Sequence, residues 1–123
     1  MKTNSYKDLI VWQKAMEVVR AIYVLTEKFP RDEVYGLKSQ MERAAVSIPS
    51  QIADGYWRRH EKEYIHFLSI SLGSGAELET QILVCKSVTK FKHLDFSKAE
   101  SLLEEVMKML FTMIKKMESN SKR

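Results

Sequence analysis

Three histidines, one cysteine, a glycine-serine-glycine triplet and clusters of basic residues are the side chains of this sequence with chemistry to offer. No two of His60, His66 and His93 sit at a metal-binding spacing, so no zinc site is expected. Glu63-Tyr64-Ile65-His66 does match the Glu-x-x-His motif of di-iron bundles. That chemistry needs the motif on two helices and a lone Glu from each of two more, and no second copy exists. Gly73-Ser74-Gly75 looks loop-like, but no Lys-Ser or Lys-Thr follows it and a helical pattern runs through it, which argues against a phosphate loop. Cys85 has no histidine at helical spacing and lies on an apolar stripe, where a small buried hydrophobe is expected. The seven methionines fall mostly at core spacing and read as filling. Without a nucleophile beside a base, no catalytic residue, metal or cofactor is expected, and the chain reads as a non-enzyme.

The basic residues are more informative. Arg58, Arg59 and Lys62 cluster with His60 beside the aromatics Tyr56 and Trp57. A second patch is Lys86, Lys90, Lys92 and His93, and a third is Lys115, Lys116, Lys122 and Arg123. Cations next to aromatic rings suit phosphate contacts and base stacking. The chain also holds 16 acidic residues, and a charge run is usually a solvated face. A net charge of +4 and a pI near 9.2 permit an acidic partner without demanding one. The expectation is RNA or DNA binding through Arg58, Arg59 and Lys62, with the Lys86–His93 patch as the competing site.

What must position these residues follows from size and pattern. A chain of 123 residues and 14.4 kDa is expected to form one domain over residues 1–123. With 45% hydrophobic and 29% charged residues it can pack a core, which excludes a disordered tail. Four glycines and two prolines are too few for a turn-rich all-β fold, and one cysteine excludes an internal disulfide framework. The longest apolar run, Ala21 to Leu25, cannot span a membrane. Met1 and Lys2 lead into polar residues rather than an apolar signal region, so a reducing cytoplasm is the expected location.

Four segments carry helical periodicity, predicting helices over about 8–29, 36–57, 61–89 and 98–118. The first shows Leu9, Trp12, Met16, Val19, Tyr23 and Thr26, with Ser5 and Asp8 as a capping box and Pro30 as the stop. The second carries Leu37, Met41, Ala44, Ile48, Ile52 and Gly55, with Pro49 predicting a kink rather than a break because the pattern resumes in phase. The third runs Tyr64, Leu68, Ser71, Gly75, Leu78, Ile82 and Cys85. The fourth opens on Ser97 and Glu100 as a capping box and continues through Leu103, Val106, Leu110, Met113 and Met117. Short links between helices of similar length predict an all-α, antiparallel up-down-up-down four-helix bundle, with Met1–Asn4 and Ser119–Arg123 as frayed ends.

A turn centred near His60 sets Arg43 level with Glu77, Ser47 with Gly73, and Asp54 with His66. The expected result is a buried ion pair and a close backbone approach at Gly73; chance alignment is the competing reading. Mid-helix glycines such as Gly73 and Gly75 cost about 1 kcal/mol each, and close packing would offset that. The first helix shows only Gln13, Lys14, Glu17 and Arg20 as polar residues between Leu9 and Leu25. Either it is deeply buried, or surplus apolar residues among Ile10, Val11, Val18, Ile22 and Val24 meet another copy of the protein; self-association is the favoured reading.

Phe29-Pro30-Arg31-Asp32-Glu33-Val34-Tyr35-Gly36-Leu37, Ser39-Gln40 and Arg43-Ala44-Ala45-Val46-Ser47-Ile48-Pro49 form one distinctive run. Gln51-Ile52-Ala53-Asp54-Gly55, Arg58-Arg59, Phe67-Leu68, Gly73-Ser74 and Glu77-Leu78-Glu79-Thr80-Gln81 continue it. Together they resemble the four-helix-bundle proteins encoded within intervening sequences of bacterial 23S ribosomal RNA genes. The resemblance covers Tyr6 to beyond Met113. It implies a left-handed antiparallel bundle that assembles as a homopentamer around a central channel, with no established enzymatic activity. A distantly similar bundle, the accessory variability protein of diversity-generating retroelements, is a basic pentamer that binds nucleic acid and a reverse transcriptase. This sequence departs from the pattern at Gln51 (usually Asn), Asp54 (usually Glu) and His60 (commonly Ser, a better N-cap). Two functions stay open: an oligomer that binds RNA or DNA, and an oligomeric scaffold that recruits a protein partner.

Overall fold

Pro30, the Arg59-His60 pair and the segment around Lys90 interrupt the helical pattern, and these are the places where the backbone turns. A computed structural model describes residues 5–121. The first helix, α1 (Ile10–Thr26), follows a 3-10 turn over Tyr6–Asp8. Ser5 Oγ accepts from Lys7 N at 3.1 Å, so the serine caps that turn instead of opening the long helix. Past Thr26 the bonds shorten to Lys28 N→Leu25 O and Phe29 N→Thr26 O, ending α1 before the expected residue 29. α2 (Leu37–Arg58) runs unbroken through Pro49, as the in-phase pattern requires. α3 (Glu61–Lys86) stops where Ser87 Oγ donates to Val84 O at 2.7 Å, and a 3-10 turn over Thr89–Phe91 follows. α4 (Ser97–Ser121) begins with Ser97 N donating to Asp95 Oδ1 at 3.0 Å. The predicted Ser97/Glu100 box does not form, because the Glu100 carboxylate is bound by Lys86. Residues 119–121, expected to fray, continue α4; Met1–Asn4, Lys122 and Arg123 lie outside the described residues.

The protein is all-α, with no strand among the described residues. Each helix packs on two others: α1 on α2 and α4, and α3 on α2 and α4. Ser71 Oγ donates to Ile48 O at 2.9 Å, Ser47 and Ser74 hydroxyls meet at 2.8 Å, and Cys85 Sγ lies 3.7 Å from Met41 Sδ. These contacts make α2 and α3 antiparallel; Lys86–Glu100 with Gly75 beside Met107 does the same for α3–α4, and Lys14–Glu105 with Leu25 beside Leu102 for α1–α4. The predicted stripes of α2 and α3 are the buried faces, from Met41 to Gly55 and from Leu68 to Cys85. The α1 stripe is displaced by one position: Val11, Ala15, Val18, Ile22 and Leu25 fill the core, while Tyr23 faces water. An apolar residue occupies nearly every α1 position, so the pattern could not choose between adjacent stripes. Val11, Val18 and Ile22, counted among the surplus, are therefore core residues; Ile10 and Val24 remain 62% and 56% exposed. Burial among apolar atoms raises the Cys85 thiol pKa to about 11, in keeping with a filling role.

Candidate nucleic-acid interface

The α2–α3 connection consists of Arg59 and His60 alone. So tight a corner reverses the chain by placing Arg59 in the left-handed region, at φ 60° and ψ 16°, where glycine is the usual occupant of a helix C-terminus. His60 is extended, and Tyr64 N donates to its carbonyl at 2.8 Å as the first turn of α3 closes. The imidazole makes no cap bond; Glu61 and Glu63 instead face the positive end of the helix dipole.

All three predicted contact residues are exposed at this corner. The Arg58 guanidinium lies 4.8 Å from the centre of the Phe67 ring, and its Nε donates to Asp54 Oδ1 at 3.0 Å. The Arg59 guanidinium lies 5.7 Å from the centre of the Trp57 indole, which is 61% exposed. Lys62 makes no ion pair among the described residues. Behind them Tyr56 and Tyr64 meet edge to face at 6.3 Å, and burial together with Tyr56 pushes the Tyr64 phenol above its usual pKa. The antiparallel register brings the last turns of α4, with Lys115 and Lys116, to this same end of the bundle; Lys115 lies 5.4 Å from the Phe111 ring centre and 3.8 Å from Glu118.

A family model described as 23S rRNA-intervening sequence protein matches residues 7–112, a span that includes every residue of the corner. The chain belongs to the 23S rRNA-intervening sequence protein family. None of the curated proteins matches it.

In this intervening-sequence protein the competing basic patch is already occupied. Lys90 Nζ donates to Asp32 Oδ2 at 2.7 Å and Glu33 Oε2 at 2.8 Å, and Lys86 holds both oxygens of Glu100. The hydrogen bond from Lys90 holds the Asp32 carboxyl below its ordinary pKa, and the two acids raise the Lys90 pKa in turn. Lys90 ties the turn after α1 to the turn after α3, and Lys86 ties the end of α3 to the start of α4. His93 Nε2 lies 3.5 Å from Lys28 O, and Lys92 is exposed.

The level-by-level pairing across α2 and α3 fails in its details. Arg43 and Glu77 are both exposed on the rim of a shallow groove with Gln40, Ser47 and Ser74, and no ion pair joins them. Two long charged chains at a helix–helix margin are better solvated by water than by each other. Ser47 bonds Ser74, not a backbone at Gly73; Gly73 is exposed, with nothing within 4 Å of the place a Cβ would take. The close approach is at Gly55, where that atom would fall 2.8 Å from Phe67 Cβ. Asp54 pairs with Arg58 one turn along its own helix, while His66 meets Phe67 edge to face at 5.6 Å. Two features escaped the sequence reading: Phe67 as the ring under Arg58, and the buried Thr26 hydroxyl donating to Glu42 at 2.6 Å. Neither has a local signal, since the partners lie on different helices. Among the described residues no three His, Cys, Asp or Glu side chains converge as a metal site, and no helix is long and apolar enough to cross a membrane.

Proposed function

We propose that this protein is a non-enzymatic, self-associating, cytoplasmic nucleic-acid-binding protein that grips the phosphates of RNA or DNA with Arg58, Arg59 and Lys62. The observation that carries this reading is the contrast between the two ends of the bundle. Lys86 and Lys90 are consumed by carboxylates. At the corner Lys62 has no acidic partner among the described residues, Arg59 is held against an aromatic ring, and Arg58 shares a solvent-exposed pair with Asp54. An exposed pair is worth under about 1 kcal/mol, so a phosphate can displace Asp54 cheaply. Membership in a family described through 23S rRNA intervening sequences supports a nucleic-acid partner.

Self-association draws on Ile10, Tyr23 and Val24, which form exposed apolar surface on α1. The family resemblance makes a homopentamer the expected size. A ring would bring one corner from every subunit to the same side, so weak single contacts add through avidity. A second reading, a scaffold that recruits a protein partner, draws on Leu83 and Phe111, exposed on α3 and α4.

The test is a salt titration of binding to a labelled RNA hairpin with an unpaired loop, followed by fluorescence anisotropy. Each neutralised phosphate should contribute about −0.9 to the log–log slope on duplex DNA and about −0.7 on single strands. Arg58→Gln with Arg59→Gln should weaken binding and flatten the slope, leaving the oligomer size unchanged by sedimentation. Absence of salt-dependent binding at low ionic strength returns the protein to the scaffold reading.

A further inference from the structure

We propose that the α2–α3 corner is a stacking site for single-stranded nucleic acid, in which the Trp57 indole receives an unpaired base and Arg58, Arg59 and Lys62 hold the flanking phosphates. This rests on the nucleic-acid reading above and names the strand state it requires.

The first support is the residue type at the turn: the left-handed position reverses the chain, but glycine would serve that purpose with less strain than arginine. Arg59 occupies a left-handed conformation that disfavours a side chain and suits glycine. It is the one non-glycine residue with positive φ among the described residues. What the arginine adds there is a guanidinium over the indole of Trp57. An outlier of this kind points toward function at its own position. The second support is the ring itself. Trp57 is 61% exposed although it sits on the last turn of a helix whose other face fills the core. Arg59 lies over the ring, and the exposure leaves the indole accessible for a stacking partner.

Charge selects the partner. Arg59 lies over the exposed indole, and Arg58 and Lys62 are exposed on the same corner; an anionic polymer whose monomers each carry a π-face matches both the ring and the cations. Arg58 is already ordered between Asp54 and Phe67, which lowers the entropy lost when it turns to a phosphate. A duplex offers phosphates but keeps its bases stacked on one another, beyond reach of an indole on a convex corner. Single strands are therefore preferred, and base identity matters little because every base stacks.

The experiment compares oligo(U), oligo(dT) and a duplex of equal length against the full chain, by anisotropy and by quenching of tryptophan fluorescence. Trp57→Leu and Trp57→Phe are the variants, and thermal melting checks that each is folded. The expected result is preference for both single strands over the duplex, with RNA and DNA bound alike. Trp57→Leu should weaken single-strand binding about 5- to 150-fold, the worth of one stacked base, while Trp57→Phe retains part of it. The quench should vanish in Trp57→Leu even though Trp12 remains. If the duplex binds as tightly as the single strands, or Trp57→Leu binds them undiminished, the stacking site is wrong and the phosphate reading stands. If no strand shows salt-dependent binding, both readings are overturned together.

Discussion

Replacing three helical glycines by alanine, one at a time, should give three different results, because the same methyl group meets three different surroundings. At Gly73 it meets nothing within 4 Å. The variant gains the full helix propensity of alanine over glycine, about 0.8–1 kcal/mol, and should melt about 3–6 °C higher. At Gly55 the new Cβ falls 2.8 Å from Phe67 Cβ, 3.1 Å from Tyr64 Cδ1 and 3.4 Å from Tyr64 O. Two of those atoms are fixed to the α3 backbone, so the helix must retreat. Overpacking of that kind costs about 1–3 kcal/mol, which exceeds the propensity gain, and Gly55→Ala should lose up to about 2 kcal/mol. At Gly75 the neighbours are Met107 Cγ at 3.0 Å and Sδ at 3.3 Å, part of a flexible side chain that can swing away. Gly75→Ala should stay within about 0.5 kcal/mol of the parent. Thermal melts and guanidinium unfolding with the m-value monitored provide the measurement. The decisive comparison is the order of Gly55 and Gly73. If Gly73→Ala destabilises and Gly55→Ala does not, the helices approach at Gly73, and the packing described for α2 and α3 is wrong.

Two further outcomes follow from the polar contacts. Burial raises the Glu42 pKa, but the hydrogen bonds from Thr26 and Lys38 outweigh it and leave the carboxyl below its ordinary 4.5. A depressed carboxylate stabilises the fold above that value and loses its contribution as the pH falls below it. Thr26→Val should cost about 1–2 kcal/mol at neutral pH and shallow the decline in urea midpoint between about pH 5 and pH 3; equal slopes for parent and variant would sink the assignment. At the corner, Arg59→Gly should be about 1 kcal/mol more stable than Arg59→Ala, because only glycine relieves the left-handed backbone, yet both should weaken binding to nucleic acid equally. An alanine variant at least as stable as the glycine one would mean that Arg59 is not left-handed in solution.

The four helices were legible because their patterns are local. Leu68, Ser71, Gly75, Leu78, Ile82 and Cys85 repeat at helical spacing, and each is buried as that spacing demands. The register of α1 was not legible, since Val11 and Trp12, or Val18 and Val19, are both apolar and only the neighbouring helices decide between them. Pairing across α2 and α3 was legible to within about a residue: Ser47 meets Ser74 where Gly73 was expected. On a helix one residue is 100° of rotation, which separates a packed contact from an exposed one. The three corner residues were correctly read as exposed, because a short polar link between two helices has nowhere else to go. The ring under Arg58 was not, for Phe67 reaches it from a different helix.

The unequal state of the two basic ends follows from the path of the chain. Four helices in sequence, neighbours antiparallel, place two crossings at one end and one at the other. The end with two crossings carries the longer connections, residues 27–36 and 87–96, and each must be held in a single conformation. Lys90 does this across the gap, joining a turn at Thr89–Phe91 to one at Arg31–Glu33. Its charge is spent on the fold. The opposite end has one crossing of two residues, fixed by the helices on either side, and no cross-link is needed there. Cations at that end face no carboxylate from a long loop, so among the described residues Lys62 makes no ion pair and Arg58 pairs with Asp54 of its own helix. Lys90→Gln should therefore lower stability while leaving nucleic-acid binding intact, the reverse of the effect expected at Arg58 and Arg59.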